Sequence, residues 1–358
     1  MEGLVDTNSG YAGKSVLVTG NTGFKGSWLS EWLMHLRADV HGYALTPPTN
    51  PSLFVSLRHG DRLVSHQFAD IRNCDSVRDA VVQTQPDFIF HLAAQPIVRT
   101  GYLTPVETYA TNVMGTIHVL EAARSLEKPC VVIVVTSDKC YENQHWRYPY
   151  KEVDRLGGRD PYSSSKAMSE LAVSAYRSSF LHGNVRVASV RAGNVIGGGD
   201  WAKDRIVPDC VRALGEGKPI FVRNPEFTRP WQHVMDALSG YMILAMRIYQ
   251  GSTDLADAFN FGPDDSNHTV RELVEEILKH WPGRWEHPAE VSTMHEAKLL
   301  KLSIDKACTM LGWCPVWRFA DAVRNTAIWY REAIAAPDNI RSLTLRQIES
   351  YERSTVLS

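Results

Sequence analysis

Apolar residues along this chain gather in short runs separated by stretches of helical spacing, and the alternation is sustained to about residue 195. Residues 14–19 (Lys-Ser-Val-Leu-Val-Thr) and 131–135 (Val-Val-Ile-Val-Val) are short, β-branched and apolar, as strands buried on both faces are, and residues 40–45 (Val-His-Gly-Tyr-Ala-Leu) read as a strand between them. Helical stretches such as residues 27–36 lie between them, long enough to cross back over a sheet. The pattern predicts an α/β fold built on a doubly wound parallel sheet. Beyond Gly197 it loosens and Pro and Gly become more frequent. Residues 12–196 therefore read as the main domain, with 229–262 returning to it. Residues 197–228 and 263–338 read as a smaller lobe, and the ends, 1–11 and 339–358, as extensions with no clear place in the core.

Residues 160–166 read Asp-Pro-Tyr-Ser-Ser-Ser-Lys. Asp160 suits a helix N-cap and Pro161 the first helical position, so Tyr162 and Lys166, one turn apart, project from one face. A free phenol titrates near pH ~10, but an adjacent ammonium and the positive helix end both favour the phenolate. The spacing predicts Tyr162 as the base for an alcohol proton, with Lys166 lowering its pKa. Such a pair is common on ordinary helices and needs a cofactor beside it.

That cofactor signal follows the first strand, in Gly20-Asn-Thr22-Gly23-Phe24-Lys25-Gly26. A strand, a glycine turn and a helix let backbone N–H groups and the helix N-terminus reach a pyrophosphate, and Gly26 permits close helix-to-strand packing. The sheet is accordingly expected to be of Rossmann type. A carboxylate usually stands at the tip of the second strand to hold the adenosine ribose; here the strand runs into Leu45-Thr-Pro-Pro. No arginine stands there to favour a 2′-phosphate, so NAD is the expected cofactor, loosely held.

Gly-x-x-Gly-x-x-Gly resembles the short-chain dehydrogenase/reductase superfamily, in particular its extended NAD-dependent epimerase/dehydratase branch acting on nucleotide sugars. Further phrases resemble the branch in order: Asp70-Ile71, His91-Leu92-Ala93-Ala94-Gln95, Asn112 in Thr-Asn-Val-Met-Gly-Thr, Ser137-Asp138-Lys139-Cys140-Tyr141, Arg191-Ala-Gly-Asn194, Arg229-Pro-Trp-Gln-His233 and Leu311-Gly-Trp-Cys-Pro315. The resemblance covers roughly residues 14–335. It implies that Asp70, Ile71, Leu92, Ala93, Ala94, Gln95 and Asn112 join the glycine loop, Tyr162 and Lys166 around the cofactor. His91 and His233 are expected to pack and hydrogen-bond.

An acid between the Ser and the Tyr resembles the sugar 4,6-dehydratases. Lysine where Glu is usual, with the phrases Gly-Asn-Thr-Gly-Phe-Lys-Gly-Ser-Trp-Leu and Gly-Gly-Gly-Asp-Trp-Ala-Lys-Asp-Arg205, resembles the subgroup acting on CDP-glucose. That resemblance implies Ser137 at the forming carbonyl, a protonated Asp138 donating to the departing 6-hydroxyl, and Lys139 in place of the C5 base. Asn194, Lys203, Arg205 and Arg229 are expected to bind the sugar nucleotide. Other nucleotide-sugar dehydratases, a 4-epimerase and a non-catalytic NAD sensor stay open as readings. In the family, pairs associate through the Tyr-x-x-x-Lys helix and the helix near Asn112, with Ala167, Leu171 and Ala175 as a candidate stripe. The 4-keto-6-deoxy product would supply deoxysugars of bacterial surface polysaccharides such as O-antigen.

Composition narrows the partners. The 358 residues carry a net charge of −2 at pI ≈ 6.7, which suits neither nucleic acid nor an anionic membrane. Six cysteines show no disulfide or metal spacing, and neither a leader nor a membrane-spanning run is apparent. A cytoplasmic enzyme without metal is expected.

Overall fold

The computed structural model describes residues 10–265, 268–287 and 300–357. Seven parallel strands form the central sheet: β1 (Ser15–Thr19), β2 (Asp39–Ala44), β3 (Ser65–Phe68), β4 (Phe88–His91), β5 (Cys130–Val135), β6 (Val185–Ala192) and β7 (Ala258–Phe261). Their spatial order is β7-β6-β5-β4-β1-β2-β3. Thr19 stands level with both Tyr43 and His91, so the order reverses at β1. A crevice opens at such a switch point beyond the carboxyl ends of the strands.

Strand alternation divides the core in two. Val16 and Val18 point to one face, where they meet α1 (Phe24–His35) and, farther along the chain, the helix Val234–Tyr249. Leu17, Ile89, Val132 and Val134 point to the other, under α2 (Cys74–Thr84), α3 (Gly115–Arg124) and α4 (Pro161–Ser179). Period-two alternation with apolar residues on both sides leaves no solvated face.

After β6 come α5 (Ile206–Gly215), α6 (Val234–Tyr249) against the sheet, α7 (Val270–His280) and α8 (Phe319–Ala335). Residues Ile220–Phe221 and Trp285–Glu286 form a small parallel ladder apart from the main sheet. Thr269 caps α7 reciprocally with Glu272, a capping box.

The C-terminal residues belong in the core, contrary to the sequence reading. They form α9 (Ile340–Leu357), whose Tyr351 is buried and donates its hydroxyl to Asp236 Oδ1 at 2.8 Å. Trp32 Nε1 donates to Glu352 at 2.8 Å. Most of the N-terminal extension lies outside the described residues, but Tyr11 is buried and donates to the Met242 carbonyl at 2.7 Å. No helix among the described residues is long and apolar enough to cross a membrane.

Candidate active site

A cavity of about 870 Å3 opens where the sheet order reverses. The glycine loop forms one wall. Gly20 has φ +73°, and a side chain there would meet the backbone of Ala93 at 2.6 Å; at Gly26 a Cβ would lie 2.3 Å from the Gly20 carbonyl oxygen. Both glycines are therefore required by the loop's own packing. Thr22 donates its hydroxyl to the Leu45 carbonyl at 2.9 Å, tying the loop to the end of β2. Helix α1 begins at Gly23 with no side-chain cap and no acidic residue in its first turn. Its uncapped N–H groups and dipole face the cavity, which fits a pyrophosphate.

Asp70 and Ile71 line the cavity just beyond the end of β3. The Asp70 carboxylate is engaged by Arg72, whose Nη2 lies 2.6 Å from it, and the tip of β2 offers Leu45 and Thr46. Leu92, Ala93 and Ala94 complete that wall. Gln95 and Asn112 are in supporting positions instead. Asn112 sits in a π-helical turn, Ala110–Met114. Its Oδ1 accepts from the Gln95 N–H at 2.8 Å and its Nδ2 donates to Ser165 Oγ at 2.8 Å, so it bolts the loop after β4 to α4. The Gln95 side chain is spent on Thr108 and the Ile97 N–H.

Asp160 caps α4 by accepting from the Ser163 N–H at 3.0 Å, and Pro161 opens the helix. Tyr162 (7% exposed) and Lys166 (6%) share a face and line the cavity. Lys166 Nζ donates to the Val135 carbonyl at 3.3 Å. Burial lowers Lys166 to about 8, against the raising influence of Glu170 and Cys140. The phenol moves opposite to the sequence expectation: burial pushes Tyr162 up to about 12, with Ser137 and Arg205 pulling the other way. Desolvation of the anion outweighs the helix end and the nearby cations.

Strand β5 delivers Ser137 and the turn Asp138–Cys140 to the same space. Ser137 donates to Asp138 Oδ1 at 3.0 Å, whereas Asp138 Oδ2 is buried without a partner. Burial raises the Asp138 pKa despite Lys139, Ser137 and Arg229, which favours a neutral carboxyl able to donate. Lys139 lines the cavity beside it.

Asn194, Arg205 and Arg229 also line the cavity, and Arg205 is steadied by Asp200 at 2.7 Å. Lys203 does not join them: it is exposed, outside the lining. Phe221, Arg223 and Asn224 line the lobe end and escaped the sequence reading because a two-residue ladder is too short to show a period. So did the state of Lys25, which lines the cavity with its ammonium 3.4 Å from the Tyr241 hydroxyl. Burial lowers its ammonium to about 7, with Arg205 and Lys166 acting in the same direction. His91 bridges Thr19 and Thr116, and His233 accepts from the Met235 N–H, as packing residues do.

The family described as GDP-mannose 4,6 dehydratase matches residues 17–326. The chain belongs to that family. Within it, a CDP-glucose 4,6-dehydratase of Salmonella typhimurium is 44% identical over 98% of this chain and 99% of its own. Two solved structures share the family's fold. A UDP-glucose-4-epimerase of Stenotrophomonas maltophila superposes with a TM-score of 0.79 at 20% identity, covering 90% of this chain and 99% of that one. A dTDP-glucose 4,6-dehydratase of Bacillus anthracis in complex with NAD superposes with a TM-score of 0.74 at 20% identity, covering 88% and 96%. The extended short-chain dehydrogenase/reductase resemblance is thereby borne out.

Proposed function

We propose that the protein is an NAD-dependent CDP-glucose 4,6-dehydratase, a hydro-lyase forming CDP-4-keto-6-deoxyglucose. The observation that carries the dehydratase reading is Asp138, a buried carboxyl with one unpartnered oxygen beside Ser137, at the cavity that Tyr162 and Lys166 line. An epimerase has no need of an acid there. The cytidine assignment is supported by the 44% identity to the Salmonella typhimurium enzyme.

In this reading the glycine loop and the start of α1 hold the pyrophosphate, with Asp70, Ile71 and Leu92–Ala94 along the rest of the cofactor. NAD, when bound, supplies the hydride acceptor and donor. Tyr162 takes the proton of the 4-hydroxyl, and Ser137 hydrogen-bonds to the carbonyl that forms at C4. The 4-ketone acidifies C5–H. Lys139, standing where the family's base stands, removes that proton while Asp138 protonates the 6-hydroxyl as it leaves as water, and Lys139 returns the proton to C5 when C6 is reduced. Arg205, Arg229 and Asn194 hold the sugar diphosphate. The hydrogen bond with Ser137 and the Arg205 guanidinium offset part of the cost of the buried phenolate.

We further infer a homodimer through α4 and the helices around Asn112. Leu171 on α4, with Leu103 (81% exposed) and Val106 (75%) on the preceding short helices, supplies apolar surface there. Ala167 does not contribute, because it is buried against Cys140 and Tyr150.

Incubating the enzyme and NAD with CDP-, dTDP-, UDP- and GDP-hexoses, followed by detection of the 4-keto-6-deoxy chromophore in alkali, tests the assignment. The expected positive is CDP-glucose alone. A 4-epimer without dehydration, or preference for another nucleotide, overturns it.

A further inference from the structure

Behind the catalytic turn lies a buried ion pair that the chemistry above leaves unused. Glu170, one turn of α4 beyond Lys166, and Arg191 on β6 are each 3% exposed, and Arg191 Nη2 donates to Glu170 Oε2 at 2.8 Å. The same oxygen accepts from Ser189 Oγ at 2.7 Å, and the other accepts from the Thr136 hydroxyl. Arg191 Nη1 donates to the Tyr141 hydroxyl at 2.8 Å, and that hydroxyl donates onward to Asn260 at 2.7 Å.

Thr136 immediately precedes Ser137, and Tyr141 immediately follows Cys140. The turn that carries Ser137, Asp138 and Lys139 is thus gripped at one end by the anion and at the other by the cation of a single pair. Thr136 also follows Val135, whose carbonyl receives the Lys166 ammonium. A buried pair is weak evidence for stability, since well-packed apolar residues hold a sheet as well or better. Its place at this turn points to a different use.

We propose that Glu170 is a positioning residue of the reaction, fixing the 136–141 turn against the Tyr162–Lys166 helix and presenting a buried negative charge to the Lys166 ammonium. The inference rests on Tyr162 and Lys166 being the catalytic pair. The titratable groups facing Lys166 are Tyr162 and Glu170 from α4, Cys140 from the turn, His91 from β4 and Lys25 from α1. Burial keeps Cys140 a thiol and lowers His91 to about 3, so both are neutral. Glu170 is held ionised by Arg191, Thr136 and Ser189 in spite of burial, and it is the anion of the set.

Glu170→Gln keeps the size of the side chain and an oxygen for Thr136 but removes the charge. With its anion gone, Lys166 gives up its proton more easily, so the ammonium is lost at lower pH. The expected result is a kcat lowered about tenfold or more, a KM for the sugar nucleotide within about twofold, and an alkaline limb of the kcat profile moved down by about one pH unit. Glu170→Asp keeps the charge on a shorter arm and should lower kcat with the limb in place; it is the informative variant if the Gln form does not fold. Thr136→Val should do the same, since it removes one grip and no charge.

A Gln variant with unchanged kcat and limb overturns the proposal. So does a lowered kcat with the limb unmoved, or an Asp variant whose limb moves. Tyr162→Phe assayed alongside separates the two levels: if it is active, the catalytic pair itself is wrong, whereas an inert Tyr162→Phe beside a normal Glu170→Gln sinks this inference alone.

Discussion

Asp138→Asn isolates the step that separates dehydration from epimerisation. The side chain is 3% exposed, anchored through one oxygen by Ser137 at 3.0 Å, with the other unpartnered. Asparagine is nearly isosteric and its amide oxygen can still accept from Ser137, so the turn and the first oxidation should survive. An amide can donate a hydrogen bond but cannot give up its proton to a leaving hydroxyl. What is lost is the general-acid contribution of about 10²–10⁴, or roughly 3–5 kcal/mol of barrier. Because the amide still solvates the leaving oxygen, the loss should fall toward the lower end, about 10²-fold. Mixing the variant with NAD and CDP-glucose in a stopped-flow cell should show absorbance of reduced nicotinamide near ~340 nm building up and decaying slowly. The unaltered enzyme should show little of it. Product formed at the normal rate, or an oxidation as dead as in Tyr162→Phe, would refute Asp138 as the elimination acid.

The ammonium of Lys25, lowered to about 7, should be charged in roughly nine-tenths of molecules at pH 6 and one-tenth at pH 8, so calorimetric NAD affinity should weaken about tenfold across that range and the slope should vanish in Lys25→Met; a slope that survives the substitution belongs to another group. Gly26→Ala places a Cβ 2.3 Å from the Gly20 carbonyl oxygen and 2.7 Å from Asn21 Cα, both backbone, so the loop must open at about 1–3 kcal/mol and NAD Kd should rise about tenfold or more, whereas unchanged Kd and Tm would contradict the packing. Glu31 is fully buried and accepts from His59 at 2.9 Å and Arg62 at 2.6 Å; burial alone would raise its pKa, but these partners hold it down to about 2. Its contribution is present above the unfolded carboxyl range and lost as pH falls toward 2, so urea titrations of Glu31→Gln should show a loss of about 3–5 kcal/mol at pH 7 that shrinks below about pH 4; a loss independent of pH would mean the charge is not what matters.

Local chemistry carried much of this protein into its sequence. Strands β1 and β5, buried on both faces, read as unbroken apolar runs, and the Gly20–Gly26 loop and the Asp160–Pro161 helix start declare themselves because their partners lie within a few residues. The 137–141 turn was legible only through its resemblance to the family. What depends on residues far apart was not. Whether Tyr162 is easier or harder to ionise depends on how much water the whole fold removes, and burial won over a cation one turn away. Gln95 and Asn112 stand beside the cofactor wall in sequence, yet a π-helical turn aims Asn112 at the loop and at Ser165 rather than into the cavity. Lys203 and Arg205 are two residues apart and equally cationic. Asp204 between them, at φ +63°, helps send one to solvent and leaves the other on Asp200. The C-terminal helix shows no strong stripe of its own, and its place is set by Tyr351 meeting Asp236, 115 residues earlier. Glu170 and Arg191 belong to this class too: a helix and a strand each contribute an ordinary charged residue, and only their packing behind β5 makes them one buried pair.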